Sequence, residues 1–358
     1  MKSYLRSLIA IILAACCMTG LVACGGETST TQPAESEVST ESAEGNENES
    51  AEEDAATEDV AAEESTEESV AEEEQVYEPE PYVDKLDRSD EGFVLVWNDE
   101  FDGDALDTTK WDYMYGNGGE YGKPGWGNYE MQYYLNREEN IRVEDGKLII
   151  TAMEESGTAM RYTSARIRTI TNSGEVLFAT TYGRVEARIK MPAGEGLWPA
   201  FWMLPVDEST YGAWAASGEI DIMEAKGRLP QQFSCAAHYG REYPQNVYSG
   251  QEYTFPEGTS IEDYHLYSIE WEPGEIRWYV DNECYFTLND FYSETSDGTS
   301  QGDTAPFDVP FYLMLNMAMG GRFDPQANLN NTEFPLDMEV DFVRVYHKEE
   351  GYGIETAE

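Results

Sequence analysis

The sequence predicts an all-β fold, a β-sandwich of jelly-roll type with one concave face, and two observations support this. Polar and apolar residues alternate with a period of two between glycine-rich breaks, and no long segment keeps a helical period. Residues 184–191 alternate without interruption, which predicts a strand with one apolar and one solvated face. Residues 267–280 alternate on both sides of a Pro-Gly turn, and an Asp-Asn pair at 281–282 predicts a second hairpin turn.

Residues 311–319 are predicted to form a strand with both faces covered. Its odd-numbered positions are all apolar, and its even-numbered positions include Tyr312, Met314 and Asn316. A strand with so few charged positions is typical of one that is buried on both sides. We expect one face to lie in the core and the other to line a ligand groove.

The charge of the chain excludes some partners and divides the sequence into regions. The 358 residues include 71 acidic and 22 basic residues, a formal net charge of −49, which argues against nucleic acid as a partner. Residues 24–80 are acidic and poor in apolar residues, so we predict a disordered linker, with a specific acidic interaction segment as the alternative. Residues 81–350 are predicted to be the folded catalytic domain, and 351–358 a C-terminal tail.

The N-terminus resembles a bacterial lipoprotein signal. Lys2 and Arg6 precede an apolar run that is short for a membrane span, which is typical of a secretory signal peptide over residues 1–23. Residues 21–25 (Leu-Val-Ala-Cys-Gly) are similar to a lipobox, which implies lipidation of Cys24. An ordinary cleaved signal that leaves Cys24 as a free thiol is the alternative. We expect an extracellular protein held on the bacterial membrane surface through a lipid on Cys24.

Three acids in one short segment are the candidate chemical groups. Glu219 and Asp221 are two residues apart and so point to the same face of a strand. Glu224 would face the core in a regular strand, where an unpaired carboxylate is costly. A one-residue β-bulge near Met223 would return Glu224 to the face of the other two acids. We predict that bulge.

Clustered carboxyl groups suit the cleavage of glycosidic bonds. Neighbouring carboxylates raise one another's pKa, so one of the three is expected to hold a proton. A protonated and an ionised carboxyl can then act as acid and nucleophile on a glycosidic bond. A solvated acidic strand face, or a cation site made of the same acids, remains an alternative on spacing alone.

Aromatic residues near these acids favour a sugar groove. Indole faces stack on the apolar faces of pyranose rings. Trp271 and Trp278 lie on the apolar parity of their strands and are predicted to be core residues. Four other tryptophans are predicted to line the groove, namely Trp126, Trp198, Trp202 and Trp214.

Several motifs together resemble glycoside hydrolase family 16, and most closely its bacterial laminarinases, which are endo-1,3-β-glucanases. These motifs are residues 197–204 (Leu-Trp-Pro-Ala-Phe-Trp-Met-Leu), 219–224 (Glu-Ile-Asp-Ile-Met-Glu) and 315–321 (Leu-Asn-Met-Ala-Met-Gly-Gly). The resemblance covers roughly 96–346. It implies a concanavalin-like jelly roll with a concave cleft and a retaining double displacement that needs no cofactor.

The resemblance also implies roles for the three acids. Glu219 would be the nucleophile, Glu224 the acid/base, and Asp221 the acid that tunes and orients the nucleophile. The extra Met223 is not typical of the family's lichenase branch. It favours the bulged branches, which include laminarinases, agarases and carrageenases.

Further positions are implied by the same resemblance. His238 matches a cleft histidine expected near Glu224, although a core histidine is the alternative, and Asn128 matches an asparagine that contacts sugar. The family often binds a structural calcium ion.

The ligands of this calcium ion would here be Glu100, the Gly146 carbonyl and Asp341, which supply the hard oxygen atoms that calcium prefers. Asp341 could equally be a turn or surface acid.

We therefore expect a monomeric endo-β-glucanase that cleaves β-1,3 linkages in laminarin-like β-glucan polysaccharide. Two alternatives stay open. One is another hydrolase of the same family that acts on lichenan, agar or carrageenan. The other is a surface lipoprotein that binds glucan without cleaving it.

Overall fold

The computed structural model describes residues 85–156 and 161–352. The first 84 residues, which include the predicted signal peptide, Cys24 and the predicted linker, lie outside the described residues, as do residues 353–358 of the tail. Within the described ranges the chain forms seventeen β-strands and four short 3₁₀ helices. No helix in these ranges combines the length and the apolar character needed to cross a membrane.

The strands are, in chain order, β1 (Phe93–Asp99), β2 (Asp112–Tyr113), β3 (Gln132–Tyr134), β4 (Ile141–Glu144), β5 (Lys147–Glu154), β6 (Tyr162–Ser164), β7 (Arg166–Arg168), β8 (Gly183–Lys190), β9 (Leu197–Pro205), β10 (Glu219–Glu224), β11 (Gln232–Tyr239), β12 (Val247–Thr254), β13 (His265–Glu272), β14 (Glu275–Val280), β15 (Glu283–Leu288), β16 (Phe311–Met319) and β17 (Leu336–Lys348). The 3₁₀ helices span Ser89–Glu91, Gly119–Tyr121, Pro124–Gly127 and Leu329–Asn331.

The strands form two sheets. The ten-stranded sheet has the order β15-β14-β13-β8-β17-β5-β6-β3, with β1 beside β17 and β4 beside β5. The seven-stranded sheet has the order β12-β11-β10-β9-β16-β7-β2. Among the described strands, only β3 and β6 pair in parallel. This arrangement confirms the predicted all-β sandwich.

The core lies between the sheets and is built from the apolar parity of each strand. Trp271 and Trp278 are fully buried there, as predicted. All nine residues of β16 are buried, which confirms that both of its faces are covered. The two predicted hairpins are also present, as β13–β14 and β14–β15.

The first half of the polar face of β8 is buried and the second half is partly exposed, so the prediction of a solvated face is wrong for Arg184 and Glu186. Glu186 is fully buried and accepts hydrogen bonds from Arg184 Nε at 2.7 Å and from Arg88, whose Nη2 lies 3.0 Å away. Arg184 also contacts Glu270 on β13 at 3.2 Å. The alternation in β8 could not reveal this network, because Arg88 comes from a segment nearly a hundred residues earlier.

Replacing Glu186 with Gln tests the energetic weight of this network. The change leaves Arg88 and Arg184 buried without their shared counter-charge, and breaking a buried ion pair typically costs about 3 kcal/mol or more. We expect the free energy of unfolding from urea titration to fall by about that amount.

The matched control is Glu144→Gln, which breaks an exposed pair between Glu144 and Arg142. That change should cost about 0.5 kcal/mol or less, because exposed ion pairs are weak. Equal effects of the two substitutions would contradict a special role for the buried network.

Candidate active site

A β-bulge in β10 brings three acids to one face of the seven-stranded sheet. Against β11 the register shifts between Asp221 and Glu224, and against β9 it shifts between Asp221 and Met223. The predicted bulge is therefore confirmed. The apolar residues between the acids, including Met223, are buried in the core. We call the opposite face of this sheet, which carries Glu219, Asp221 and Glu224, the groove face.

The bulge is supported from the core side by Trp278. Its indole N–H donates a hydrogen bond to the main-chain carbonyl of Asp221 at 3.0 Å. A bulge interrupts the ladder of main-chain hydrogen bonds, and a buried carbonyl without a donor is costly. Trp278 therefore satisfies the carbonyl at the point where β10 departs from regular pairing.

Each glutamate of the cluster accepts a hydrogen bond from a different indole. Trp214 Nε1 donates to Glu219 Oε2, and Trp198 Nε1 donates to Glu224 Oε1, both at 2.8 Å. Each glutamate thus has one oxygen fixed by a rigid donor. The other oxygen of each is the one available for chemistry on the groove face.

His238 lies against the first two acids of the cluster. It pairs with Glu219 across β10 and β11, and its Nε2 is 3.3 Å from Asp221 Oδ2 and 4.0 Å from Glu219 Oε1. The resemblance expects this histidine on the adjoining strand near Glu224. The register places it directly opposite Glu219, with Ser234 opposite Glu224, and the charge of Glu224 also acts on its imidazole.

Burial and mutual repulsion raise the pKa of both glutamates. Burial is the larger cause for Glu219, and the charge of Asp221 adds to it, so the pKa rises to about 7. The pKa of Glu224 is raised well above its ordinary value by burial and by the charges of Asp221 and Glu219. The protonated form of Glu224 is therefore favoured, and Glu219, with a pKa of about 7, can ionise near neutral pH.

Burial lowers the pKa of His238, but the hydrogen bond with Asp221 and the charges of the two glutamates outweigh it. The result is a pKa of about 9, against 6.5 for an ordinary histidine. Because the folded-state pKa is raised, the stabilisation from the charged imidazolium is complete below about pH 6.5. It is lost as the pH rises through about 9.

Three of the four tryptophans predicted to line the groove lie half-buried on this face. Trp198 stacks on Phe323, with ring centroids 4.7 Å apart and planes 16° apart. Trp202 donates from Nε1 to Asn316 Oδ1 at 2.8 Å. Trp214 lies 5.6 Å from the His238 ring. The indoles therefore surround the acid cluster on the sheet.

Trp126 is buried instead, with 7% exposure, so the prediction that it lines the groove is not met. The 3₁₀ helix that contains it turns the indole inwards against Tyr134 and the Arg166 guanidinium, which is 4.7 Å away. Arg166 lies at the same distance from the Trp202 ring. The Arg166 guanidinium therefore packs against both indoles and helps to hold Trp202 in place.

Asn128 lies beside the Trp198 end of the groove face. Its main-chain carbonyl accepts a hydrogen bond from the Arg322 N–H at 2.9 Å. A Cβ added to the neighbouring Gly321 would lie 3.0 Å from that carbonyl and 3.5 Å from the Trp198 ring. The loop containing Asn128 and the segment after β16 thus close together on this side of the cluster.

Two residues of the groove face were not singled out as site residues from the sequence. Asn316 lies on the even parity of β16, which was expected to face the groove, so the parity could have identified it as a site residue. Arg166 alternates with the buried apolar residue Ile167 on β7. This alternation indicates a groove residue less clearly than the parity of Asn316 does. The position of Arg166 between two indoles depends on residues far away in the sequence.

The cluster also has the geometry of a metal ligand set. One ligand atom each from Glu219, Asp221 and His238 lies within 4.8 Å of the others, the one group of this kind found among the described residues. A divalent cation could bind there only if His238 gave up its proton, because a ligating imidazole is neutral. The charged His238 and the Trp214 hydrogen bond already compensate the two acids, which favours proton chemistry.

The positions expected to bind calcium lie near the middle of β17, but the two acidic side chains have other partners. Asp341 directly follows the last residue of β17 that pairs with β5, close to the turn that contains Gly146. Glu100 directly follows the last residue of β1. The Glu100 carboxylate contacts Arg344 at 2.6 Å, and the Asp341 carboxylate contacts Arg188 at 2.7 Å. These paired carboxylates do not fit the expected site as they stand, and calcium binding stays a prediction.

Comparison with known proteins agrees with this geometry. The sequence profile described as "Glycosyl hydrolases family 16" matches residues 128–336. The chain is 45% identical over 270 residues to glucan endo-1,3-beta-glucosidase A1 of Niallia circulans, a match that covers 72% of this chain and 38% of that relative. It is 42% identical to a beta-glucanase of Rhodothermus marinus, over 73% of this chain and 88% of that relative.

A solved structure agrees as well. The laminarinase catalytic domain of Thermotoga maritima superposes with a TM-score of 0.60 at 38% identity, over 71% of this chain and 98% of that domain. A jelly roll whose sheet carries clustered acids among indoles is the arrangement that cleavage of a glycosidic bond requires. The chain belongs to glycosyl hydrolase family 16, which confirms the resemblance carried by residues 219–224. It spans less than half the length of the Niallia relative.

The protonation of His238 gives a test of the cluster that does not depend on activity. We expect its imidazole to remain protonated at pH 8 in a proton–nitrogen NMR titration. Asp221→Asn should lower its pKa towards 6.5, because it removes the hydrogen bond and charge that raise the pKa most. His238→Gln identifies the resonance among the three histidines of the chain. An unshifted pKa near 6.5 in the unmutated protein would contradict the arrangement.

Proposed function

We propose that the protein is a retaining endo-β-glucanase that hydrolyses β-1,3-glucosidic bonds in laminarin-like glucans by double displacement. The observation that carries this proposal is the bulge in β10, which holds two glutamates with raised pKa values on one face. A retaining glycosidase needs one carboxyl that donates a proton and a second that attacks the anomeric carbon. The cluster supplies both.

Glu224 is suited to act as the acid. Because its pKa is raised well above the ordinary value, its protonated form is favoured, and that proton can pass to the leaving glycosidic oxygen. Trp198 fixes one carboxyl oxygen of Glu224 and leaves the other for this transfer. After the first step Glu224 is ionised and can take a proton from the attacking water.

Glu219 is suited to act as the nucleophile. The Trp214 hydrogen bond and the charged His238 both favour its ionised form and offset part of the effect of burial and of Asp221. Oε1 is the oxygen that Trp214 leaves available for attack on the anomeric carbon. Asp221 contacts His238 and so holds a positive charge beside the nucleophile.

The linkage is assigned from the relatives, since glucan endo-1,3-beta-glucosidase A1 is 45% identical to this chain over 270 residues. A panel of laminarin, lichenan, agar and carrageenan tests this choice by release of reducing sugar. We expect laminarin to be cleaved fastest and the new chain end to appear first as the β-anomer in proton NMR. Preference for agar or carrageenan would overturn the linkage, and binding without any cleavage would favour the non-catalytic alternative.

Glu219→Ala should abolish hydrolysis, because the glycosyl-enzyme can no longer form. With an aryl β-glucoside that has a good leaving group, azide should restore turnover and give a glycosyl azide of inverted, α configuration. The measurement is product anomer by NMR together with the rate of aryl release. Full activity of this variant on laminarin would contradict the role of Glu219.

Glu224→Ala provides the matched comparison, because it removes the acid and leaves the nucleophile. We expect a loss of about 10²-fold or more on laminarin, with a much smaller loss on aryl glucosides whose leaving group needs no proton. Azide should here give the β-configured azide, since it attacks the glycosyl-enzyme. The same azide anomer from both variants would contradict the assignment of the two roles.

We also propose that the protein is lipid-anchored through Cys24 on the outside of the bacterial membrane. The support is the lipobox-like segment at residues 21–25 and the acidic linker that follows it. Metabolic labelling with a fatty acid should tag the unmutated chain, and Cys24→Ser should lose both the label and the membrane association. Labelling that persists in Cys24→Ser would overturn the anchor.

A further inference from the structure

The Trp198 indole, which donates a hydrogen bond to Glu224, is packed against the segment that follows β16. Trp198 lies on β9, which pairs with β16. Directly after β16 the chain turns through Gly320 and Gly321, whose φ angles of 70° and 88° favour glycine. This turn brings Phe323 onto the Trp198 ring, where the two planes are 16° apart. The indole that orients Glu224 therefore has a second aromatic ring stacked on one of its faces.

Phe323 also contacts the segment that follows Glu224 in the chain. The Lys226 ammonium lies 4.8 Å from the centre of the Phe323 ring, within the range of a cation–π interaction. The main chain of this segment still follows β9, because the Gly227 N–H donates a hydrogen bond to the Leu197 carbonyl at 2.9 Å. Phe323 therefore contacts both the indole on β9 and the segment that leaves β10.

An ion pair fixes the segment that carries Phe323. The neighbouring Asp324 is 6% exposed and accepts two hydrogen bonds from Arg228, from Nε at 3.0 Å and from Nη2 at 2.9 Å. Two parallel hydrogen bonds fix the relative orientation of two groups as well as their separation. Arg228 follows Glu224 by four residues, so the pair joins the segment after β10 to the segment after β16.

These contacts lead back to Glu224. Its main chain continues to Arg228, which binds Asp324, and the residue before Asp324 stacks on the Trp198 indole. Trp198 Nε1 in turn donates to Glu224 Oε1 at 2.8 Å. The small cavity lined by Glu224 and Phe323 has a volume of about 10 Å³. A cavity of that size holds at most about one water molecule, so a sugar unit does not fit between the two side chains.

We propose that Phe323 and the Arg228–Asp324 ion pair are positioning residues for the acid Glu224, and that they act through the Trp198 indole. The inference rests on the proposed function, in which Glu224 gives its proton to the leaving glycosidic oxygen. A general acid works only within hydrogen-bond reach of the oxygen that it protonates. The stacked ring and the ion pair restrict rotation of the indole, and the indole holds the carboxyl in that position.

The test compares two substrates with the same sugar and different leaving groups. The full chain is assayed with dinitrophenyl β-laminaribioside, whose leaving group needs no proton, and with phenyl β-laminaribioside, whose leaving group does. The measured quantity is the ratio of kcat/KM for the dinitrophenyl substrate to kcat/KM for the phenyl substrate. A change in binding of the shared sugar cancels in this ratio, whereas a misplaced acid raises it.

Two variants loosen the proposed support of the indole. Asp324→Asn keeps the shape of the side chain and removes its charge, and Phe323→Leu keeps an apolar side chain and removes the ring. We expect each to raise the ratio about fivefold to tenfold, which is part of the roughly 10²-fold that a general acid contributes. Urea unfolding confirms that each variant is folded, and if one is not, the other decides.

Two further variants separate positioning from general effects. Phe323→Tyr keeps the ring and should keep the ratio of the unmutated protein. Glu154→Gln is the matched control, because it breaks an exposed ion pair with Arg161 on the ten-stranded sheet and should leave the ratio unchanged. An unchanged ratio in folded Asp324→Asn or Phe323→Leu, or an equal rise in Glu154→Gln, would overturn the inference.

Glu224→Ala distinguishes failure of this inference from failure of the proposed function. If its ratio equals that of the unmutated protein, Glu224 is not the acid and the proposed function fails. If Glu224→Ala raises the ratio while Asp324→Asn and Phe323→Leu do not, the acid role stands and the positioning role is overturned.

Discussion

The site depends on the burial and mutual repulsion of carboxyl groups that one extra residue in β10 holds on a common face. Without the shift in register around Met223, Glu224 would point into the core and could not join Glu219 and Asp221 on the groove face. With it, burial and like charge raise the pKa of both glutamates. The β-bulge in the main chain of β10 therefore brings the proposed proton donor, Glu224, and the proposed nucleophile, Glu219, onto one face.

Hydrogen bonds from the surrounding tryptophans stabilise this arrangement of acids in a packed sheet. Trp278 donates to the main chain at the bulge from the core side, while Trp198 and Trp214 each donate to one glutamate from the groove side. Rigid indoles fix the orientation of the carboxyl groups at little entropic cost. They also present flat apolar faces next to the groups that react, which is what a sugar-binding enzyme needs.

The sequence was informative where a feature depends on local spacing. The period of two predicted the sandwich, and the odd spacing of Glu224 predicted the bulge, because a carboxylate in the core would be too costly. The failures involve partners distant in the chain. Arg88 covers Glu186 in the first half of the polar face of β8, and the indole of Trp126 is turned inwards against Arg166. Alternation along one strand contains no information about what packs on it from elsewhere.

The central claim is that the bulge returns Glu224 to a buried acidic cluster where it stays protonated at neutral pH. Carbon NMR titration of the glutamate side-chain carboxyl groups tests this most directly, with the Glu224 resonance identified by its loss in Glu224→Gln. We expect this carboxyl to remain protonated at pH 7, and its pKa to fall when Asp221 is replaced by Asn, since the charge of Asp221 is a main cause of the raised value. A Glu224 carboxyl that titrates near 4.5, unaffected by Asp221, would contradict the account.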